Sequence, residues 1–348
     1  MKKLLFLFSI AISAHLNAQQ QPLLGSSIYT PHLMNFAFAG TNDVAQVDLI
    51  SRMQWVGYEN NPTTFLANGF VTIGKNKGQF GADKSLFASP ERTVGVFKHV
   101  IGGTILHDRA GLLNHTAFRF NYAIHLPLTK NWMVSASLGA GYGHLFYNGN
   151  KVRVSDQTDE VALYQNQTNQ SLPSTSAGIA IYTQQLSLGI GIEQMVKSEL
   201  NFSNLATSAT YNPHFTAYAA YEIGKGKFRV TPQVNYRFTS TVRGIADFGV
   251  QFKYNQAIWL GLYGRTSNAL AVQLGANLFK GAYLAYGFDL PVGKLVNVAS
   301  SSHEIRLGIY IGKKPKETKE ETSKKSENTK TKEKTNVNEK FAEEDAVE

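Results

Sequence analysis

Phe228-Arg229-Val230-Thr231-Pro232-Gln233-Val234-Asn235-Tyr236-Arg237-Phe238 alternates apolar and polar residues without a break. Successive side chains of a strand point to opposite faces. Phe228, Val230, Pro232, Val234, Tyr236 and Phe238 therefore share one face, and Arg229, Thr231, Gln233, Asn235 and Arg237 share the other. A face with two arginines must meet water, whereas its opposite can meet lipid. A strand crosses a bilayer with about ten residues, against about twenty for a helix. A membrane protein made of such strands needs no long apolar run.

The same reading extends in both directions. Strands are expected at Ala45–Trp55, Thr63–Gly74, Val94–Leu106, Asn114–Ile124, Met133–Leu145, Ser174–Thr183 and Leu186–Val196. Seven more are expected at His214–Ile223, Phe228–Phe238, Ala246–Tyr254, Ile258–Arg265, Leu270–Phe279, Ala282–Leu290 and Ser302–Ile311. The fold class is thus all-β: a transmembrane antiparallel β-barrel of about 14 strands. An even strand number brings both termini to one side, the periplasmic side, where turns are short. The connections Gln184–Gln185, Asn255–Ala257 and Lys280–Gly281 are short, and Phe146–Pro173 and Lys197–Pro213 are long. Two connections do not fit: Thr266–Ala269 is short on the outer side, and Lys75–Thr93, long on the periplasmic side, breaks the rule. A soluble β-sandwich is the alternative, but it buries one face of each sheet and usually carries fewer strands. Trp55, Tyr58, Trp132, Tyr147 and Trp259 lie near strand ends, as interfacial girdles do, although core anchors would have the same spacing.

Residues 1–18 read as a secretory signal: Lys2 and Lys3, an apolar core from Leu4 to Ala14, and cleavage after Ala18. The apolar core is too short to span a bilayer. Residues 19–312 then form the barrel, and residues 313–348 a charged tail. Lys313–Glu348 holds ten lysines and ten acidic residues with a single aromatic, Phe341. Such a segment cannot bury enough surface to offset its chain entropy and is expected to be disordered, in the periplasm. The tail is charge-balanced, so the basic character belongs to the barrel, which has 22 basic and 15 acidic residues. A basic lumen or contact with anionic glycolipid are the outlets for it. Export excludes nucleic acid as a partner. With no cysteine, there are no disulfides, zinc–thiolate sites or thiol nucleophiles. A mean hydropathy of −0.20 suits a barrel whose lumen residues are polar.

Asn35-Phe36-Ala37-Phe38-Ala39-Gly40 and Arg52-Met53-Gln54-Trp55-Val56-Gly57-Tyr58 resemble the opening of the PorP/SprF family, Asn-Pro-Ala-Tyr-Ala-Gly and Gln-Trp-Val-Gly-Phe. Asp108-Arg109-Ala110-Gly111 with Asn114 is similar to the family's Asp-x-x-Gly-x-x-Asn. Tyr286-Gly287-Phe288-Asp289 and Ser302-His303-Glu304-Ile305 resemble its Tyr-x-Tyr-Asp and Ser-His-Glu-Ile segments. Phe36 replaces the motif's proline, and Ser301 the usual glycine before Ser-His-Glu. The resemblance implies an outer-membrane accessory of the type IX secretion system of Bacteroidota. Its partners would be the translocon and secreted surface-protein cargo, including gliding adhesins, and for some members a periplasmic protein attached to peptidoglycan. Asn35, Ala37, Gly40, Gln54, Trp55, Gly57, Asp108, Gly111, Asn114, Asp289, Ser302, His303 and Glu304 are the motif positions, with structural or partner-contact roles. Gly57, between Trp55 and Tyr58, permits a tight turn. His303 and Glu304 fall on opposite faces of the last strand and cannot form a local acid–base pair.

Catalysis needs a nucleophile, a base and an orienting group. His32, His99, His107, His115, His125, His144, His214 and His303 are scattered and show no metal-ligand spacing. His107 and Asp108 are neighbours in an expected exposed loop. No catalytic, cofactor or metal site is expected. The rival to a secretion accessory is a passive pore. The inward set Arg52, Arg119, Arg229, Arg237, Lys253, Arg265 and Arg306 could favour anions. Alternatively it could pair with Asp48, Glu193, Glu222, Asp247, Asp289 and Glu304 and fill the barrel.

Overall fold

The computed structural model describes residues 24–73, 94–148, 167–200 and 209–311, apart from the single positions 225, 241, 256, 268, 280 and 298. The expected signal peptide, the long Lys75–Thr93 connection and the charged tail lie outside the described residues.

Fourteen antiparallel strands close a barrel. They are β1 (Ala45–Met53), β2 (Thr63–Ile73), β3 (Lys98–Ala110), β4 (Leu113–Pro127), β5 (Met133–Asn148), β6 (Gln167–Tyr182) and β7 (Leu186–Glu193). A separate two-stranded hairpin follows, β8 (Ser198–Leu200) with β9 (Ala209–Tyr211). The barrel resumes with β10 (His214–Tyr221), β11 (Phe228–Thr239), β12 (Val242–Tyr254), β13 (Ile258–Arg265), β14 (Ala269–Phe279), β15 (Ala282–Pro291) and β16 (Ser302–Ile311). β7 pairs directly with β10. β1 pairs with β16 in a register running from Ala45↔Ile311 to Met53↔His303. Closure leaves no open sheet edge, the condition for a sheet to sit in lipid.

The faces divide as the alternation requires. In β11, Arg229, Thr231, Gln233 and Asn235 are buried, while Phe228, Val234, Tyr236 and Phe238 are exposed. This inverts the soluble pattern: the polar face is shielded inside and the apolar face is bare. Several boundaries shift by three or more residues from the sequence reading; those of β3 and β6 are the most informative. His107 and Asp108 belong to β3 and not to a loop, because β3 and β4 continue to a tight turn at Gly111-Leu112. Outward residues there are polar (His107, Arg109, Thr116), so apolar alternation stops before the strands do. β6 likewise begins at Gln167, well before Ser174.

Ala45 and Ile311 mark one end of the barrel, called here the lower end; Met53 and Ser302 mark the upper end. The interior is filled by the chain's own segment Leu24–Gly40. Three 3-10 turns shape it, Gly25–Tyr29, Pro31–Leu33 and Phe36–Phe38. Pro31 opens the second turn, where a missing N–H costs nothing. Asn35 caps the third, its side-chain oxygen accepting from the Ala37 N–H at 3.0 Å. The segment starts in the upper half, where Leu24 and Leu33 pack with Ile50 and Leu66. It descends to the lower half, where Phe36 and Ala39 pack with Phe70, Val100 and Ala123. An even strand number does bring Ala45 and Ile311 together, but the plug carries Leu24 back up the lumen. The chain termini themselves lie outside the described residues.

Candidate functional site

The plug is held at two levels, and the motif residues supply most of the holding groups. At the lower level the Asn35 amide donates to the carbonyl oxygens of Ile179 on β6 (3.1 Å) and Ile190 on β7 (2.9 Å). With its oxygen on Ala37, the side chain's polar atoms are satisfied in a buried setting, as burial demands. The wall makes room: a Cβ at Gly178 or Gly191 would meet the Asn35 side chain, and one at Gly189 would meet the Phe38 ring. Ala37 and Ala39 are fully buried. Ala37 packs against Ala180 and Ala220, and its carbonyl accepts from Ser135 Oγ at 2.6 Å. Gly40 adopts φ +69°, and its carbonyl accepts from Lys98 Nζ, which also pairs with Asp43 at 2.9 Å. A side chain at Gly40 would be strained in that conformation and would strike Val100. Phe36 stands edge-on to Phe70, ring centroids 6.1 Å apart.

At the upper level a belt of alternating charge crosses six strands. Arg237 and Arg265 both hold Asp247 at 2.6 Å, and Arg265 lies 3.7 Å from Asp289. Asp289 binds Arg52 at 2.6 Å and accepts from the Tyr263 hydroxyl at 2.8 Å. Arg52 lies 3.5 Å from Glu304. Glu304 in turn accepts from the Gly25 N–H at 2.6 Å, which ties the plug to the seam where β1 meets β16. Lower down, Glu222 holds Arg229 (2.9 Å) and Lys253 (3.0 Å). Arg119 holds Glu193 at 2.6 Å, and His32 of the plug meets Asp48 at 2.9 Å. Of the two readings of the inward charges, pairing is the one the lumen adopts. Arg306 differs: its guanidinium lies over the Tyr283 ring, 5.1 Å from the centroid. Desolvation offsets much of the attraction in buried pairs of this kind, so their net stabilisation is small while loss of one partner is costly.

The upper rim joins two motifs distant in sequence. The Trp55 N–H donates to Ser302 Oγ at 3.2 Å, the Val56 N–H donates to the Ser301 carbonyl at 3.0 Å, and Ser300 Oγ donates to the Val56 carbonyl. Trp55 itself has φ +51°, a left-handed conformation that costs energy in a bulky residue, and Gly57 has φ +104°. The Gln54 carbonyl accepts from the Asn61 amide within the same loop. His303 faces outward, accepting or donating at 2.6 Å with the Tyr286 hydroxyl, while Glu304 faces the lumen. Asp108 stands apart, accepting from Thr64 at 2.6 Å. Gly111 supplies φ +61° at the β3–β4 turn, and Asn114 pairs across it with Arg109.

Sequence reasoning missed the plug. The available signal was a run between leader and first strand that is nearly free of charge yet carries Leu24, Ile28, Leu33, Phe36 and Phe38 with no strand or helix period. Trp259 answers the choice between girdle residue and core anchor. It stacks edge-on against the inward Tyr283 at 5.9 Å and covers Gly275, so it is an interior anchor. Trp55, Tyr58 and Trp132 are exposed. Among the described residues, no cluster of His, Asp and Glu has the makings of a metal site.

Comparison with solved structures finds barrels of low similarity. The outer membrane protein Omp33 of Acinetobacter baumannii is 10% identical at a TM-score of 0.46, covering 77% of this chain and 99% of its own. A FadL homologue of Pseudomonas aeruginosa is 8% identical at a TM-score of 0.43, covering 77% and 89%. Comparison with curated proteins finds no match. The sequence matches the family described as type IX secretion system membrane protein PorP/SprF over residues 16–309, a span that includes the plug, the charge belt and most of the closing strand. A closed outer-membrane-type barrel with this match along nearly its whole length belongs to the PorP/SprF family of type IX secretion system membrane proteins.

Proposed function

We propose that this protein is a non-enzymatic outer-membrane accessory of the type IX secretion system, a docking barrel that supports secretion or surface attachment of large cell-surface proteins. The observation that supports this reading over a passive pore is the plug. A solute channel needs a continuous wet path. Here the lumen is crossed by Leu24–Gly40, and its inward cations are mostly neutralised by carboxylates. Such an interior makes a rigid platform, leaving rims and loops for protein contacts. In this reading the lower end is periplasmic, with the short connections 128–132 and 183–185, and the charged tail extends there toward a translocon or peptidoglycan-associated partner.

The test is deletion of the gene in its native host. General outer-membrane assembly should continue, while a subset of large surface proteins accumulates inside or is released unattached. A strain that displays all such proteins normally, yet loses uptake of one small solute, would establish the pore instead.

A further inference from the structure

In the upper half of the barrel a cavity of about 120 Å³ separates the plug from the wall of β2–β4, β6, β7 and β10–β12, with Tyr211 of β9. One side is aliphatic: Leu24 and Leu33 from the plug, Leu66 and Leu106 from the wall. The rest of the lining is rich in donors: Arg119 and His115 flank Ala117 beside Leu106, and Arg237, His214 and Thr239 lie on β10 and β11, with Glu193 as the carboxylate. Glu193 is already held by Arg119 at 2.6 Å, and Asp247 lies behind Arg237. The Arg237 Nε–H and the Thr239 hydroxyl are buried and make no hydrogen bond among the described residues. Thr239 is 8% exposed. Buried donors without acceptors are costly and call for one.

We infer that this cavity binds a small amphipathic monocarboxylate, its carboxylate on Arg237 and Thr239 and its hydrocarbon body against Leu24, Leu33, Leu66 and Leu106. A neutral hydrophobe would leave the donors unpaired. An inorganic phosphate would set a doubly charged group against an aliphatic wall. An alkylammonium would meet a guanidinium. A carboxylate with a short chain satisfies both sides, since charge-assisted hydrogen bonds to oxygen pair the donors. The site is independent of the secretion reading, which rests on the plug and the family.

Hexanoate is a suitable probe, with 1-hexanol and hexylammonium as controls. Titrations would use the full-length mature protein in lipid nanodiscs, with empty nanodiscs subtracted. Hexanoate should bind once per chain, at least tenfold tighter than either control. Thr239→Val should weaken it severalfold, and Leu106→Trp, which fills the cavity, should abolish it, with the barrel remaining heat-modifiable on gels. Equal binding of hexanol and hexanoate would overturn the proposal, as would hexanoate binding unaffected by Thr239→Val. Binding that emerges only after removal of residues 19–23 would assign the cavity to the chain's own N-terminal segment and would also overturn it.

Discussion

The Gly25 backbone N–H donates to the Glu304 carboxylate at 2.6 Å across 279 positions of sequence. The same carboxylate faces Arg52, which grips Asp289. One acidic side chain on the closing strand therefore links the plug, the first strand and the last. Arg52→Met should remove the cation shared by two buried carboxylates and cost about 3–5 kcal/mol, as breaking a buried pair does. Arg52→Met combined with Asp289→Leu should recover part of that loss. Urea unfolding in detergent, followed by gel mobility of unboiled samples, measures it; strict additivity of the single variants would argue against the coupling.

Asn35 is the lower anchor. Asn35→Ala removes two hydrogen bonds to the wall and one turn cap, and should loosen the plug by about 1–3 kcal/mol. Gly178→Ala attacks the same contact from the other side, because its Cβ would occupy the space of the Asn35 amide. Both variants should keep a heat-modifiable barrel while limited proteolysis within 24–40 accelerates. Proteolysis unchanged in both would mean that the plug is held elsewhere.

A plugged lumen predicts electrical behaviour. Wild-type protein in planar bilayers should show no stable open conductance, and Gly178→Ala should show intermittent openings. A steady, porin-like current from the wild type would contradict the plug.

The faces of β11 can be tested at adjacent positions. Val234 is exposed on the lipid side, and Asn235 is fully buried beside Met34 of the plug, with its amide 3.3 Å from the Met34 sulfur. Val234→Arg should reduce assembled barrel, since arginine at a midplane lipid position costs about 2–4 kcal/mol. Asn235→Arg should assemble but displace the plug, read as faster proteolysis within 24–40. Equal assembly defects would mean that the faces are misassigned.

The C-terminal tail follows a complete last strand. Truncation after Lys314 should leave barrel assembly intact. Loss of surface display at constant barrel level would support a periplasmic tether, and undiminished display would remove that role. Protease added to intact cells should leave the tail uncut if the lower end is periplasmic.

As a set, the thirteen motif positions were legible through resemblance, and the contacts of Asn35 explain why. Nothing local in Asn35-Phe36-Ala37 announces that the amide will meet carbonyls 144 and 155 positions away. His303 and Glu304 are different: period-two geometry alone places them on opposite faces, and they lie so.

The strand number, the lipid and lumen faces and the closure of the barrel were written in the sequence, because alternation is a property of neighbouring residues and survives without knowledge of the fold. The limits of β3 and β6 were not, since outward side chains beyond the apolar band have no reason to alternate. The plug, the pairing of Arg52 with Asp289 and the inward seat of Trp259 were decided only by tertiary structure. A segment such as Leu24–Gly40 has no period of its own. It takes its shape from Gly178, Gly191 and Glu304 on the wall, residues that meet it only once the barrel has closed.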